Sequence, residues 1–130
     1  MGRPKTILVV DDDARLRRFV ARLLRRAGYR VRTTADPSRA RTLAARLRPA
    51  LVILDIVMPG LDGLDVAGHL CADRRTRPIP RMFLTAQPPG DHIEEARNVQ
   101  AQAYLRKPFR PEALLDLVER IMASSNGELP

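Results

Sequence analysis

A chain of 130 residues with 45% apolar content can bury a core. We expect one domain over residues 1–130, with its core at about 6–122 and a flexible tail at 124–130. No apolar run approaches the roughly 20 residues that span a bilayer, which predicts a cytoplasmic protein without membrane insertion. The single cysteine, Cys71, excludes an internal disulfide and is interpreted as a small core residue.

The net charge of +8 is unevenly distributed. Twelve arginines and one acid, Asp36, lie between Ala14 and Arg48, so this third of the chain forms a basic patch. Neither an aromatic stacking platform nor a known DNA-binding motif accompanies the arginines. Nucleic-acid binding by this domain alone is therefore a weaker alternative. The first predicted helix has an apolar stripe made of Leu16, Phe19, Val20, Leu23 and Leu24. We interpret the arginines that lie off this stripe as a docking face for an acidic partner. They are Arg15, Arg18, Arg22, Arg25 and Arg26.

Apolar or alternating runs of strand length alternate with helical stripes along the whole chain. The strands are predicted at 7–10, 29–34, 51–54, 82–84 and 103–106. The helices are predicted at 14–27, 37–48, around 64–71, from about 91 to 99, and around 114–121. The fourth helix has the weakest apolar face, which Ile93, Ala96 and Val99 mark.

Helix-boundary residues support this division. Asp13 is the predicted N-cap of the first helix and Gly28 its C-cap. Asp36 and Pro37 open the second helix, because proline suits the first helical position. Asp62 is interpreted as a turn residue.

This alternation predicts an α/β fold with a parallel sheet and helices on both faces. A flavodoxin-like strand order, 2-1-3-4-5, places the first and third strands at the switch point. Asp11, Asp12 and Asp55, which follow those strands, then share one crevice. Thr85 and Lys107 end the next two strands.

Asp55 is the most conspicuous of these acids, since it ends a fully apolar strand and precedes a loop rich in Pro and Gly. Two carboxylates about 4 Å apart repel by roughly 4 kcal/mol at an effective dielectric near 20. Three of them call for a counter-cation, and Mg²⁺ fits carboxylate oxygens best. Lys107 can add a compact positive charge, and the Thr85 hydroxyl can donate a hydrogen bond.

Together these segments resemble the receiver domain of bacterial two-component response regulators, over about Thr6 to Met122. The motifs that carry the resemblance are Val9-Val10-Asp11-Asp12, Leu54-Asp55-Ile56-Val57-Met58-Pro59-Gly60-Leu61-Asp62-Gly63, Leu84-Thr85-Ala86 and Tyr104-Leu105-Arg106-Lys107-Pro108-Phe109.

The resemblance implies a role for each site residue. Asp55 would accept a phosphoryl group from a sensor histidine kinase or phosphotransfer protein. The metal site would comprise Asp11, Asp12, Asp55 and Val57, holding Mg²⁺. Thr85 and Lys107 would bind the phosphoryl oxygens.

The resemblance also implies how a signal leaves the domain. Tyr104 would act with Thr85 as a switch, and a downstream protein would bind the fourth helix, fifth strand and fifth helix. The chain would thus be a phosphoacceptor signalling domain and not an enzyme. The peptide bond before Pro108 is expected to be cis, which would help to aim Lys107.

The chain departs from the family pattern at two places. Gln100-Ala101 stands where the family usually has Gly-Ala, and a left-handed Gln100 would carry strain of about 1 kcal/mol. Pro88 and Pro89 stiffen the loop after Thr85.

A phosphohydrolase of the haloacid dehalogenase type is the enzyme alternative, because Asp11-Asp12-Asp13 contains an Asp-x-Asp motif. Members of that family have Thr or Val where this chain has Arg15, and they usually have a longer chain. The phosphorylated acid distinguishes the two hypotheses, since the hydrolase would use Asp11 and the receiver Asp55.

Overall fold

A computed structural model of the chain describes residues 3–58 and 60–125, in which strands and helices alternate. The strands are β1 Thr6–Val10, β2 Arg30–Thr34, β3 Leu51–Leu54, β4 Arg81–Thr85 and β5 Ala103–Arg106. The helices are α1 Ala14–Arg26, α2 Pro37–Leu47, α3 Gly63–Ala72, α4 Pro89–Asn98 and α5 Pro111–Ser125. All strand pairs are parallel and the order is β2-β1-β3-β4-β5, which confirms the predicted α/β fold.

Two apolar layers cover the sheet. Ile7 and Val9 of β1 pack in the layer that includes α1 and α5, whereas Leu8 and Val10 pack in the layer that includes α2, α3 and α4. Because successive strand residues point to opposite faces, a strand buried on both faces must be apolar throughout. This is why residues 7–10 of β1 and all of β3 are unbroken apolar runs.

The helix starts follow the capping residues closely. Asp13 accepts hydrogen bonds from the main-chain N–H of Arg15 at 3.0 Å and of Leu16 at 3.2 Å, as an N-cap does. Asp36 is the N-cap of α2, with Pro37 as the first helical residue. Asp62, expected to be only a turn residue, is the N-cap of α3 and accepts from Asp65 N at 2.8 Å.

The fourth helix differs from its prediction at both its start and its face. It begins at Pro89, two residues before the predicted start, because proline has a preset φ and needs no N–H partner at a first helical position. Ala96 is buried as expected, but Ile93 is 43% exposed and Val99 lies beyond the helix end.

The fourth strand begins one residue earlier than predicted, at Arg81. This arginine is only 1% exposed. Its guanidinium donates to the carbonyls of Arg77 at 2.7 Å, Ile79 at 2.6 Å and Val99 at 3.0 Å, and burial lowers its pKa. Arg81 therefore ties the α3–β4 connection to the end of α4.

Gln100 adopts the left-handed backbone conformation, with φ of 57°, for which strain was expected. Cys71 is half-buried and not a full core residue. The fifth helix continues to Ser125, two residues into the predicted tail, and 126–130 lie outside the described residues. Within the described ranges, no helix combines the length and apolar character needed to cross a bilayer.

Candidate functional site

The central strands β1 and β3 deliver their acids to the same edge of the sheet. Val10 pairs with Leu54, and the main-chain N–H of Asp55 donates to the Val10 carbonyl at 3.1 Å. Asp11 and Asp55 are 3% and 8% exposed, whereas Asp12 is exposed. Ligand oxygens of Asp11, Asp12 and Asp55 lie within 4.8 Å of one another. The topology thus brings together the three acids that the sequence singled out.

Lys107 reaches the acids from the end of β5. Its Nζ lies 3.0 Å from Asp11 Oδ2 and 3.1 Å from Asp55 Oδ2. Its main-chain N–H donates to the Thr85 carbonyl at 2.8 Å, and its peptide bond to Pro108 is cis. We call Asp11, Asp12, Asp55 and Lys107 the acidic cleft.

Burial and neighbouring charges shift the pKa values of Asp11 and Lys107. Burial and the nearby charge of Asp55 raise the pKa of Asp11, although the Asp13 N–H and Lys107 oppose that rise. Burial alone would lower the pKa of Lys107, but the contacts with Asp11 and Asp55 outweigh it and leave this pKa raised. Lys107 is therefore charged at neutral pH, and one ammonium faces three carboxyl groups.

Gly63 lies beside the acidic cleft at a close approach of two backbone segments, which the amino-acid sequence does not indicate. Its N–H donates to the Ile56 carbonyl at 2.8 Å, which brings the start of α3 against the chain after β3. A Cβ at residue 63 would collide with the carbonyl oxygen of Asp55. The sequence indicated only a chain break at Gly63, whereas the structure shows a close backbone approach.

Arg17 is a second residue that sequence reasoning missed. Its Nη1 donates to the main-chain carbonyl of Asp11 at 2.8 Å, so α1 holds the end of β1 directly. Its position six residues after Asp11 has no recognisable sequence signal, since five other arginines in α1 lie off the same apolar stripe.

Thr85 and Tyr104 lie beside the loop that leads to α4. Thr85 is fully buried, and its hydroxyl accepts from the Gln87 N–H at 3.3 Å. The Tyr104 hydroxyl donates to the Gln87 carbonyl at 2.9 Å, and its ring packs against Phe83 with 6.1 Å between centroids. Both side chains are therefore bound to the same loop.

Val57, the remaining expected metal-site residue, lies two residues after Asp55 in the loop that follows β3. Its side chain belongs to the large exposed apolar residues, at 57%. Its N–H donates to Asp55 Oδ1 at 3.4 Å, a weak bond that orients the carboxylate. Pro59, in the same loop, lies outside the described residues.

A doubly wound sheet with an acidic cleft at its switch point places this chain in the flavodoxin-like class of α/β proteins. A family model described as the response regulator receiver domain matches residues 7–119. The chain belongs to this family, which takes part in two-component signalling, and the resemblance drawn from its motifs is confirmed.

Curated relatives include longer regulators. The chain is 34% identical over 118 residues to the phosphate regulon transcriptional regulatory protein PhoB of Pseudomonas aeruginosa, covering 91% of this chain and 52% of that protein. It is 39% identical over 117 residues to the transcriptional regulatory protein PdtaR of Mycobacterium tuberculosis, covering 89% and 56% respectively. The chain thus spans about half the length of the curated relatives it matches.

Two solved structures match over nearly their whole length. The chemotaxis protein CheY4 of Vibrio cholerae superposes with a TM-score of 0.86 and 31% identity, covering 91% of this chain and 98% of that one. The receiver domain of the sensor histidine kinase PA1611 of Pseudomonas aeruginosa gives a TM-score of 0.84 and 29% identity, covering 92% and 98%. That structure has a magnesium ion coordinated in its active-site cleft.

Proposed function

We propose that this receiver domain takes a phosphoryl group from a sensor histidine kinase or phosphotransfer protein onto a carboxylate oxygen of Asp55. The single observation that carries this proposal is Lys107 Nζ, which lies 3.1 Å from Asp55 Oδ2 and 3.0 Å from Asp11 Oδ2. As the new P–O bond to Asp55 forms, the bond from phosphorus to the donor imidazole nitrogen breaks, and that nitrogen keeps the electron pair.

The acidic cleft suits Mg²⁺ because its donor set is carboxylate oxygen within 4.8 Å and one ammonium does not balance three acids. Asp11, Asp12 and Asp55 would hold the ion with the main-chain carbonyl of Val57. Bound there, Mg²⁺ supplies charge neutralisation for the transferring phosphoryl oxygens. The residues of the chain do the positioning.

Lys107 and Thr85 have the other roles toward the phosphoryl group. The Lys107 ammonium, which already donates to Asp11 and Asp55, can also donate to an incoming phosphoryl oxygen. The Thr85 hydroxyl exchanges its contact with Gln87 for a hydrogen bond to another phosphoryl oxygen. The chain acts as a phosphoacceptor whose transfer and slow dephosphorylation are Mg²⁺-assisted, and not as an enzyme with its own substrate.

Intact-mass measurement after incubation with acetyl phosphate and Mg²⁺ tests the proposal. We expect one phosphoryl group per chain, none without Mg²⁺, and none on Asp55→Asn. Replacing Asp12 by Asn should weaken Mg²⁺ binding, while Asp13→Asn serves as the control, because Asp13 is the N-cap of α1.

Two outcomes would contradict this assignment. A phosphoryl group on the Asp55→Asn chain that disappears in Asp11→Asn would favour the haloacid dehalogenase-type alternative. Equal loss of Mg²⁺ affinity in the Asp12 and Asp13 variants would mean that the acids are misassigned.

We further propose that the output surface consists of α4, β5 and α5, and that a downstream protein binds there. Tyr104 supports this, since its hydroxyl holds the Gln87 carbonyl at 2.9 Å and thereby links β5 to the loop before α4. Movement of Thr85 toward a phosphoryl group would disturb that loop and release Tyr104. The single domain, with its core at 6–122, would do this in the cytoplasm.

Pro88 and Pro89 restrict how far this change spreads, because Pro89 has a preset φ at the first position of α4. We expect beryllofluoride, a phosphoryl mimic, to shift amide signals strongly from 85 to 87 and near Tyr104, and weakly across 93–99. An equally large shift across α4 would show that the prolines do not act as a brake.

A further inference from the structure

A groove of about 600 Å³ runs along α1 beside the sheet edge, and its described lining residues are distinct from those of the acidic cleft. Its walls consist mainly of guanidinium groups from three turns of α1, with one residue of β2 on the other side. These residues are Arg17, Arg18, Arg22, Arg25, Arg26 and Thr33. We call this surface the arginine groove.

The arginine groove carries five positively charged side chains. Within residues 3–58 and 60–125, none of its five guanidiniums lies within ion-pairing distance of a carboxylate. Two of them make hydrogen bonds to main-chain carbonyls only, from Arg17 to Asp11 and from Arg25 to Val31. Most of their N–H donors therefore remain available to an anion.

The strand side of the groove adds donors. β2 is an edge strand, and Arg30 donates its main-chain N–H to the Lys5 carbonyl. Every second residue of β2 therefore directs its main-chain N–H and carbonyl toward β1. Val31 and Thr33 must then direct their main-chain groups outward, as the 3.1 Å bond from Arg25 Nη2 to the Val31 carbonyl shows. The exposed Thr33 thus presents an N–H and a hydroxyl to the groove.

We propose that the arginine groove binds a linear oligophosphate, the phosphate chain of a nucleoside triphosphate or of an inorganic polyphosphate. Phosphate oxygens only accept hydrogen bonds, which matches a lining made almost entirely of donors, and guanidinium pairs with phosphate in bidentate fashion. The volume lies within the range of small-molecule sites. This proposal does not depend on phosphoryl transfer to Asp55.

The same lining favours an oligophosphate over the acidic protein partner that the sequence suggested for the arginines of α1. The centre of a protein interface is more apolar than its rim, whereas Ala21, the one apolar residue in the described lining, is only 2% exposed. Single-stranded nucleic acid binds by stacking on aromatic rings, and none of the described residues that line the groove is aromatic. From Arg17 to Arg26, α1 rises about 14 Å, a length suited to a few phosphates.

The proposal can be tested by calorimetric titration of the whole chain with sodium tripolyphosphate. The buffer contains a metal chelator, which keeps the acidic cleft metal-free. We expect one site per chain and an affinity at least about tenfold above that for orthophosphate, since several guanidiniums engage at once. Amide signals of α1 and Thr33 should shift together. Absence of saturable binding, or orthophosphate binding equally well, would overturn the proposal.

A pair of charge-matched variants separates the groove from net charge. Arg18→Gln/Arg22→Gln removes two exposed groove arginines, and Arg74→Gln/Arg97→Gln removes two exposed arginines elsewhere. None of the four has a side-chain contact that folding requires among the described hydrogen bonds and ion pairs. The groove variant should lose about tenfold in affinity and the control about twofold or less, because screened distant charges contribute little. Equal losses would overturn the site.

Further ligands in the same titration distinguish a nucleotide from an inorganic polyphosphate as the natural ligand. Equal affinity for ATP without Mg²⁺ and for tripolyphosphate would support recognition of the phosphate chain alone. Tighter binding of ATP would support a nucleotide source. A DNA oligonucleotide or a polyglutamate peptide that binds more tightly than both, with the same loss in the groove variant, would overturn the proposal in favour of a macromolecular partner.

Discussion

The acidic cleft and the arginine groove differ in how their charges are balanced. In the cleft, Asp11 and Asp55 are nearly buried, and Lys107 lies within 3.1 Å of both. In the groove, five guanidiniums have no carboxylate partner within the described part of the chain, and most of them are exposed. Burial requires a counter-charge, whereas water and salt let exposed like charges coexist.

The two regions also differ in how strongly the backbone constrains them. The acidic cleft depends on main-chain contacts at several points, among them the Gly63 approach to Asp55 and the bond from Arg17 to the Asp11 carbonyl. The arginine groove consists mainly of long side chains on one helix. Substitutions in the cleft should therefore change folding stability, and substitutions in the groove should change mainly ligand and salt responses.

Gly63→Ala should give the largest effect. The added Cβ would strike the Asp55 carbonyl oxygen, and the forced backbone shift should reduce the free energy of unfolding by about 3 kcal/mol. Urea denaturation measures this change. Gly68→Ala is the control, because its Cβ would meet only Val99 Cγ1 at 3.8 Å. Helix propensity should make that variant up to about 1 kcal/mol more stable, and equal losses in both would contradict the steric explanation.

Lys107→Met removes the counter-charge of the acidic cleft and should lower the free energy of unfolding by about 2 kcal/mol at neutral pH. Because the folded pKa of Lys107 is raised, its contribution is complete below its ordinary value of 10.5 and is lost as pH rises through the folded pKa. The deficit of the variant should therefore shrink at alkaline pH. Arg120→Met, from the exposed pair with Asp116, should cost less than about 0.5 kcal/mol.

Asp11→Asn should have a smaller effect, with the opposite sign. A folded pKa above 3.8 means that the ionised carboxyl of Asp11 opposes folding at neutral pH, and that this opposition fades as pH falls through the folded pKa. We expect the variant to have a higher free energy of unfolding than the parent chain at pH 7, and an equal one below pH 3.8. Thermal unfolding across pH measures the gain.

Asp36→Asn provides a control for that titration. Its hydrogen bonds from Ser38 lower the pKa of Asp36, so its ionised form stabilises the fold above 3.8, and this contribution is lost as pH falls through the lowered pKa. The Asp36 variant should lose stability at neutral pH. A gain in both variants would contradict the role of burial in the cleft.

Salt should have the smallest effect. Raising ionic strength from about 0.01 to about 0.15 M shortens the screening length from about 30 to about 8 Å, and should stabilise the chain by about 0.5 kcal/mol by screening the arginines. Arg18→Gln/Arg22→Gln should reduce this gain more than Arg74→Gln/Arg97→Gln does. An identical salt response in the two variants would mean that the groove does not concentrate the repulsion.

Local signals account for what could be predicted from the sequence. Apolar runs, helical stripes and caps such as Asp13 and Asp36 report short-range physics, and they located the five strands and five helices along the chain. The strand order 2-1-3-4-5 came from the flavodoxin-like fold hypothesis, which the structure confirms. The helix with the weakest stripe, α4, was also the one whose start and face were wrong, since only Ala96 anchors it firmly.

Sequence also determined which residues enter the cleft, because parallel strands deliver their carboxyl ends to one edge: Asp11, Asp12, Asp55 and Lys107 meet there. Only the tertiary structure decided the contacts that lack a periodic signal. The collision that forbids a Cβ at Gly63, the bond from Arg17 to Asp11 and the burial of Arg81 depend on segments distant in sequence. Likewise, the sequence shows how many arginines this region contains, but the groove that they share depends on how α1 lies against the β2 edge.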